Sequence, residues 1–148
     1  EQVAKAILKY SSTPGLDLVN FFELVLFSFL TGNADMHLKN FSMFLSETGW
    51  VLSPFYDLLN VKMILPKDKE DMALLLGGKK ENFNKGDFDR LGTVLSLNNK
   101  QISSVYKRFG KWLPEAIQLI NASFLNTERK SMYTNLITDR VKIFKDSF

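Results

Sequence analysis

The chain has no cysteine among its 148 residues. A disulfide framework and a thiolate metal site are therefore excluded, and a reducing, cytoplasmic setting is the expectation. It has one histidine and no clustered carboxylates, which under-supplies a two-metal hydrolytic centre. Charge of one sign is also scarce. The 19 basic and 16 acidic residues give a net charge of +3, with no like-charged block, so nothing points to direct nucleic-acid binding. The most apolar run, Leu16 to Leu30, is interrupted by Asp17, Asn20, Glu23 and Ser28. It falls short of the roughly 20 residues a bilayer span needs, so it reads as a buried core helix and no membrane partner is expected. No signal peptide, internal repeat, low-complexity tract or flexible linker is visible, which predicts one domain over residues 1–148. Glu1 already lies in a helical pattern with no initiator Met; the expectation is a fragment or processed product.

What is present suits a soluble globular core. Hydrophobic residues make up 45% and charged residues 24%, and the 13 phenylalanines predict an aromatic-rich interior. Residues 3–10 have a helical pattern, broken by Ser11-Ser12-Thr13-Pro14-Gly15. The apolar helix Leu16–Leu30 follows, with Gly32 suited to a left-handed C-terminal position. After a loop from Ala34 to Asn40, Phe41–Leu45 and Trp50–Leu52 read as short strands joined by Ser46-Glu47-Thr48-Gly49, and Pro54 stops the second. Asp57–Leu65 is mixed and closed by Pro66. Lys69–Leu76 reads as a helix or strand ended by Gly77-Gly78. Asp87 is the expected cap of a helix Phe88–Leu95. Asn98 or Asn99 caps one running to Phe109 with Gly110 as its stop, and Pro114 opens the next. Thr127 caps the last helix, whose Met132, Tyr133, Leu136, Ile137, Val141 and Phe144 share a face. The expected fold class is mainly α with a small β-hairpin.

The chemistry concentrates in Thr31-Gly32-Asn33-Ala34-Asp35-Met36-His37-Leu38-Lys39-Asn40, followed across the hairpin by Pro54-Phe55-Tyr56-Asp57. An Asp, an Asn five residues later, and a second Asp after a hairpin is the order protein kinases use. Phosphoryl transfer needs a positioned hydroxyl, magnesium and cations near the phosphates, and little covalent chemistry from the protein. Asp35 offers an acceptor for the hydroxyl proton. The amide oxygen of Asn40 and the carboxylate of Asp57 are hard oxygen ligands of the kind magnesium prefers. Lys39 can neutralise charge on the transferring phosphate. His37 follows Asp35 by two residues and so does not copy the histidine that precedes the kinase aspartate. Bracing the loop by hydrogen bonds is its expected role, with proton relay as the alternative.

These residues resemble the HipA-like serine/threonine kinases, the toxin halves of bacterial type II toxin–antitoxin systems. The resemblance rests on Thr31 to Ser42 and on Leu52-Ser53-Pro54-Phe55-Tyr56-Asp57, and extends more weakly to the C-terminus, covering the chain as a kinase-like C-terminal lobe. It implies Asp35 as catalytic base, and Asn40 and Asp57 as ligands of Mg2+. It also implies ATP as donor, a Ser or Thr hydroxyl on a protein substrate as acceptor, and a helix-turn-helix antitoxin through which DNA is met only indirectly. Lipid kinases are similar at Asp35, His37 and Asn40. The departure is at the start. No strand-borne lysine or glycine-rich loop precedes the motif, and Gly77-Gly78-Lys79-Lys80 follows it without P-loop spacing. The N-terminal, ATP-anchoring lobe is therefore expected outside this chain, with the chain alone inactive and a longer parent active. The competing expectations are a stand-alone C-lobe that binds an antitoxin or a separate N-lobe without catalysis, and a phosphoesterase using Asp35, His37 and Asp57.

Overall fold

A computed structural model describes residues 2–65 and 70–144; the expectations that use Glu1, Pro66 and Lys69 as element ends fall outside these residues. The elements run α1 Gln2–Tyr10, α2 Pro14–Thr31, a 3-10 turn Leu38–Asn40, β1 Met43–Ser46 and β2 Gly49–Leu52. Then come α3 Val61–Ile64, α4 Lys85–Val94, α5 Asn99–Ala122 and α6 Thr127–Lys142.

The centre of the fold is α2. It starts two residues before its apolar pattern because Pro14 fits the first helical turn, where no N–H is needed. It ends at Gly32, which is left-handed at φ +78°. There the Gly32 and Asn33 amides bond back to Phe29 and Ser28 carbonyls at 3.3 and 2.9 Å. By length and composition α2 could cross a bilayer, yet most of it is buried within the fold, against α1, β2, α4 and α6. The expected aromatic interior is present: Phe29 lies 5.0 Å from Phe88 and Phe144 lies 5.3 Å from Phe88, ring to ring, with Phe22 and Tyr106 also buried. Edge and tilted ring packing adds to plain area burial.

The hairpin β1–β2 is antiparallel, with Met43 opposite Leu52 and Ser46 opposite Gly49. Its turn is pressed against the α1–α2 loop. A Cβ on Gly49, which has φ +113°, would meet Ser12 Oγ at 2.0 Å. Buried Asp17 of α2 fixes the hairpin's other end by accepting from the Leu52 amide at 2.8 Å and from Ser11 Oγ at 2.7 Å.

Several helix boundaries differ from the expectations, each for a local reason. Asn84, not Asp87, caps α4. Asp87 sits three residues inside and bonds back to the Asn84 amide, forming a reciprocal capping box. Asn98 caps α5 in the same way with Gln101. That helix then continues through Gly110 and Pro114 to Ala122. One buried face, Ile102, Val105, Tyr106, Phe109, Ala116 and Ile120, spans both. Its packing outweighs the missing Pro114 N–H, and exposed Pro114 and half-buried Gly110 leave the unpaired carbonyl within reach of water. In α6 Asn126 is the cap and Thr127 the first helical residue. Its expected face buries Ile137 and Val141 but leaves Met132 exposed, and Phe144 lies beyond the helix end. Residues 70–76 are neither helix nor strand. Leu76 and Lys79 exchange backbone bonds of 2.9 and 3.1 Å across a two-residue turn whose glycines both have positive φ.

Candidate functional site

The loop after α2 is held from beneath by side chains of α2 itself. Ser28 Oγ donates to Met36 Sδ at 3.3 Å, and buried Asn33 reaches Ser28 Oγ at 3.5 Å. Ala34 and Met36 are buried on either side of Asp35, so the backbone at Asp35 is fixed while its side chain stays half-buried. The chain then turns through Leu38–Asn40, and Asn40 folds inward to 6% exposure.

Asn40 joins the expected site residues. Its Nδ2 donates to the Asp35 carbonyl at 3.3 Å and to Asp57 Oδ2 at 3.0 Å. Both bonds use the amide nitrogen, so the amide oxygen takes no part in either and keeps its capacity as an acceptor or ligand. Asp57 is exposed and sits at φ +57°, a left-handed conformation that Asp tolerates better than most residues. The donor set is one amide and one carboxylate. Among the described residues no group of three His, Cys, Asp or Glu could hold a metal. Hard oxygen ligands in such small number fit Mg2+, which completes its shell with phosphate oxygens and water rather than a protein cage.

His37 Nε2 lies 3.0 Å from Asp35 Oδ1. The contact can orient the Asp35 carboxylate, and it also leaves His37 in line for a proton. Lys39 is exposed and its side chain has no partner among the described residues. Its carbonyl accepts from Tyr56 Oη at 3.2 Å, tying the loop to the segment that carries Asp57. The structure thus brings together Asp35, His37, Asn40 and Asp57, and leaves the Lys39 ammonium free at the rim. Away from this loop, burial draws the Arg140 guanidinium down while neighbouring Asp71 opposes the change.

Sequence reasoning missed three supporting contacts. Asp17 anchors the hairpin, Asn60 caps α3 through the Met63 amide at 3.0 Å, and Gly32, foreseen only as a helix end, accepts from Val61 and Lys62 amides at 3.0 and 3.4 Å. The cap at Asn60 carries a sequence signal, an Asn before an apolar run. The other two contacts bridge distant parts of the chain and leave no local trace.

The HipA-like C-terminal domain family matches residues 1–117. The chain belongs to that family. Among its relatives is "Putative kinase Y4mE" of Sinorhizobium fredii, 23% identical over 144 residues, which are 93% of this chain and 34% of that protein. The serine/threonine-protein kinase toxin HipA of Shewanella oneidensis is 49% identical over 41 residues, 28% of this chain and 10% of the relative. Among solved structures, the complex of Shewanella oneidensis HipA, HipB and operator DNA matches with a TM-score of 0.75 and 22% identity. That match covers 97% of this HipA-like domain and 34% of the solved chain. The fold is therefore shared across nearly the whole domain, which spans about a third of the length of the first relative.

Proposed function

We propose that this domain is the catalytic C-terminal lobe of a HipA-like serine/threonine protein kinase, in a protein-kinase-like arrangement. The observation that carries the reading is the pair of bonds from Asn40 to Asp57 and to the Asp35 backbone. They unite three oxygen-bearing residues, Asp35, Asn40 and Asp57, the last two of which lie 17 positions apart in the chain. Asp35 accepts the proton of a Ser or Thr hydroxyl on a protein substrate, and His37 holds its carboxylate. Asn40 and Asp57 hold Mg2+, which would neutralise charge on the ATP phosphates. Lys39 is the cation nearest the transferring group.

A second lobe covering this face anchors ATP in our reading. The exposed apolar side chains of Leu38 in the site loop and of Phe55 and Tyr56 before Asp57 support that cover. The likeness to a HipA solved with HipB and DNA supports an antitoxin partner, with DNA met through it, and a cytoplasmic setting.

The test is phosphate transfer from labelled ATP to protein in the full-length parent. Asp35→Asn is expected to lower the rate by about 10²–10⁴-fold, and Asp57→Asn to abolish Mg2+-dependent transfer, with melting temperatures unchanged. Near-normal transfer in either variant refutes the reading.

A further inference from the structure

We propose that Gly32 and Asn60 form a joint that holds Asp35 and Asp57 in register, making Asn60 a positioning residue. The inference rests on the reading above for why that register matters. Its geometry stands on contacts outside the reacting groups.

Gly32 precedes Asp35 by three residues, and Asn60 follows Asp57 by three. The two positions meet. The Gly32 carbonyl accepts from the Val61 amide at 3.0 Å and the Lys62 amide at 3.4 Å. A Cβ on Gly32 would lie 2.8 Å from Asn60 Oδ1 and 2.8 Å from Leu136 Cδ2. Only a glycine allows the three segments to close this tightly, and the left-handed φ of +78° requires it as well. Asn60 Oδ1 in turn accepts from the Met63 amide, which locks the turn leaving Asp57.

The chain between Gly32 and Asn60 is thus a closed loop containing the whole candidate site. Asp57 is held at one end by Asn40 and at the other by the joint. A left-handed backbone at a non-glycine residue persists only where its surroundings over-determine it, and these are the two constraints. The Asn60 side chain also meets Tyr133 of α6, so a stabilising role is separated from a positioning one by a readout at Asp57 itself rather than by global stability.

The experiment is solution NMR on labelled protein without metal or nucleotide. It compares wild type with Asn60→Ala and with Asn60→Asp, which keeps an acceptor for the Met63 amide. In wild type, Asp57 is expected to show the strong intraresidue amide–Hα NOE that marks positive φ, together with an NOE from the Asn40 side-chain amide to Asp57. Asn60→Ala is expected to lose both while the remaining amide spectrum stays that of the folded protein, and Asn60→Asp to restore them. Retention of both signals in Asn60→Ala overturns the joint, as does their absence in wild type. In the active parent, Asn60→Ala is expected to raise the Mg2+ concentration for half-maximal rate about tenfold, the usual size of a supporting-shell effect. An intact NMR result with no phosphate transfer in the parent would refute the kinase reading and leave the joint standing.

Discussion

Arg140→Met is the sharpest test of how the fold is held. Arg140 is 8% exposed and reaches across from α6 to the end of α2. Its guanidinium donates to the Phe29 carbonyl and to Asp71 Oδ1, and lies 4.6 Å above the Phe29 ring. The carbonyl belongs to the last turn of α2, where acceptors lack helical partners and a cation is favoured. Removing a hydrogen bond to a charged group costs about 1.5–3 kcal/mol, and losing a desolvated cation–π contact costs about 1–2 kcal/mol. Asp71 would keep Lys62 at 3.5 Å and the Asn82 amide at 3.3 Å, which softens the loss of its partner. Methionine restores part of the apolar burial, so the net loss is about 2–4 kcal/mol. At about 2–4 °C per kcal/mol for a domain of this size, the melting temperature falls by about 4–16 °C. Urea unfolding followed by far-UV circular dichroism gives the free energy directly. Combining Arg140→Met with Asp71→Leu is expected to cost less than the sum of the two single changes, since the Arg140–Asp71 contact that both remove is counted once. An Arg140→Met variant within about 0.5 kcal/mol of wild type, the size of an ordinary surface change, would refute the reasoning.

Acid stability should depend on Asp87. Burial pushes its carboxyl up, but the Asn84 amide, Lys79 and Arg90 outweigh this and hold it below the ordinary 3.8. Its contribution is therefore complete above about pH 4 and is lost as pH falls through the lower folded-state value. The stability gap between wild type and Asp87→Asn should narrow from about pH 5 to pH 2; a gap independent of pH in chemical denaturation would contradict this. Pro114→Ala should stabilise the protein by about 1–2 kcal/mol, because it restores a backbone bond inside the continuous helix α5. A loss of stability on the same measurement would show that the packing of Trp112 and Ala116 needs the proline.

The short-range features of this fold were legible in the sequence. The two helices before the loop, the left-handed Gly32 and a hairpin at this point all follow from patterns within a few residues, and the structure has them. The strands are Met43–Ser46 and Gly49–Leu52 rather than Phe41–Leu45 and Trp50–Leu52, because Ser46 and Gly49 pair and leave only Glu47-Thr48 as the turn. The caps were legible only in part. At Asn84–Asp87 and Asn126–Thr127 two good capping residues compete, and the reciprocal bond or the backbone of the neighbour decides. The break at Gly110 and Pro114 was misread because local propensity favours it, while a buried face from Ile102 to Ile120 runs through it. The stretch around Asp71 defied a local reading because its backbone bonds go to Lys80 and its carboxylate to Arg140.

The candidate site divides the same way. Sequence alone nominated the groups on which the proposed chemistry rests, since residue type and spacing along one loop and one hairpin single out Asp35, His37, Lys39, Asn40 and Asp57. Only the tertiary structure decided how they meet. Asn40 turns inward to bridge Asp35 and Asp57, Asp17 pins the hairpin to α2, and Gly32 closes against Asn60 and Leu136. These contacts join positions far apart in the chain. The burial that sets them belongs to the assembled core, and no local sequence pattern contains it.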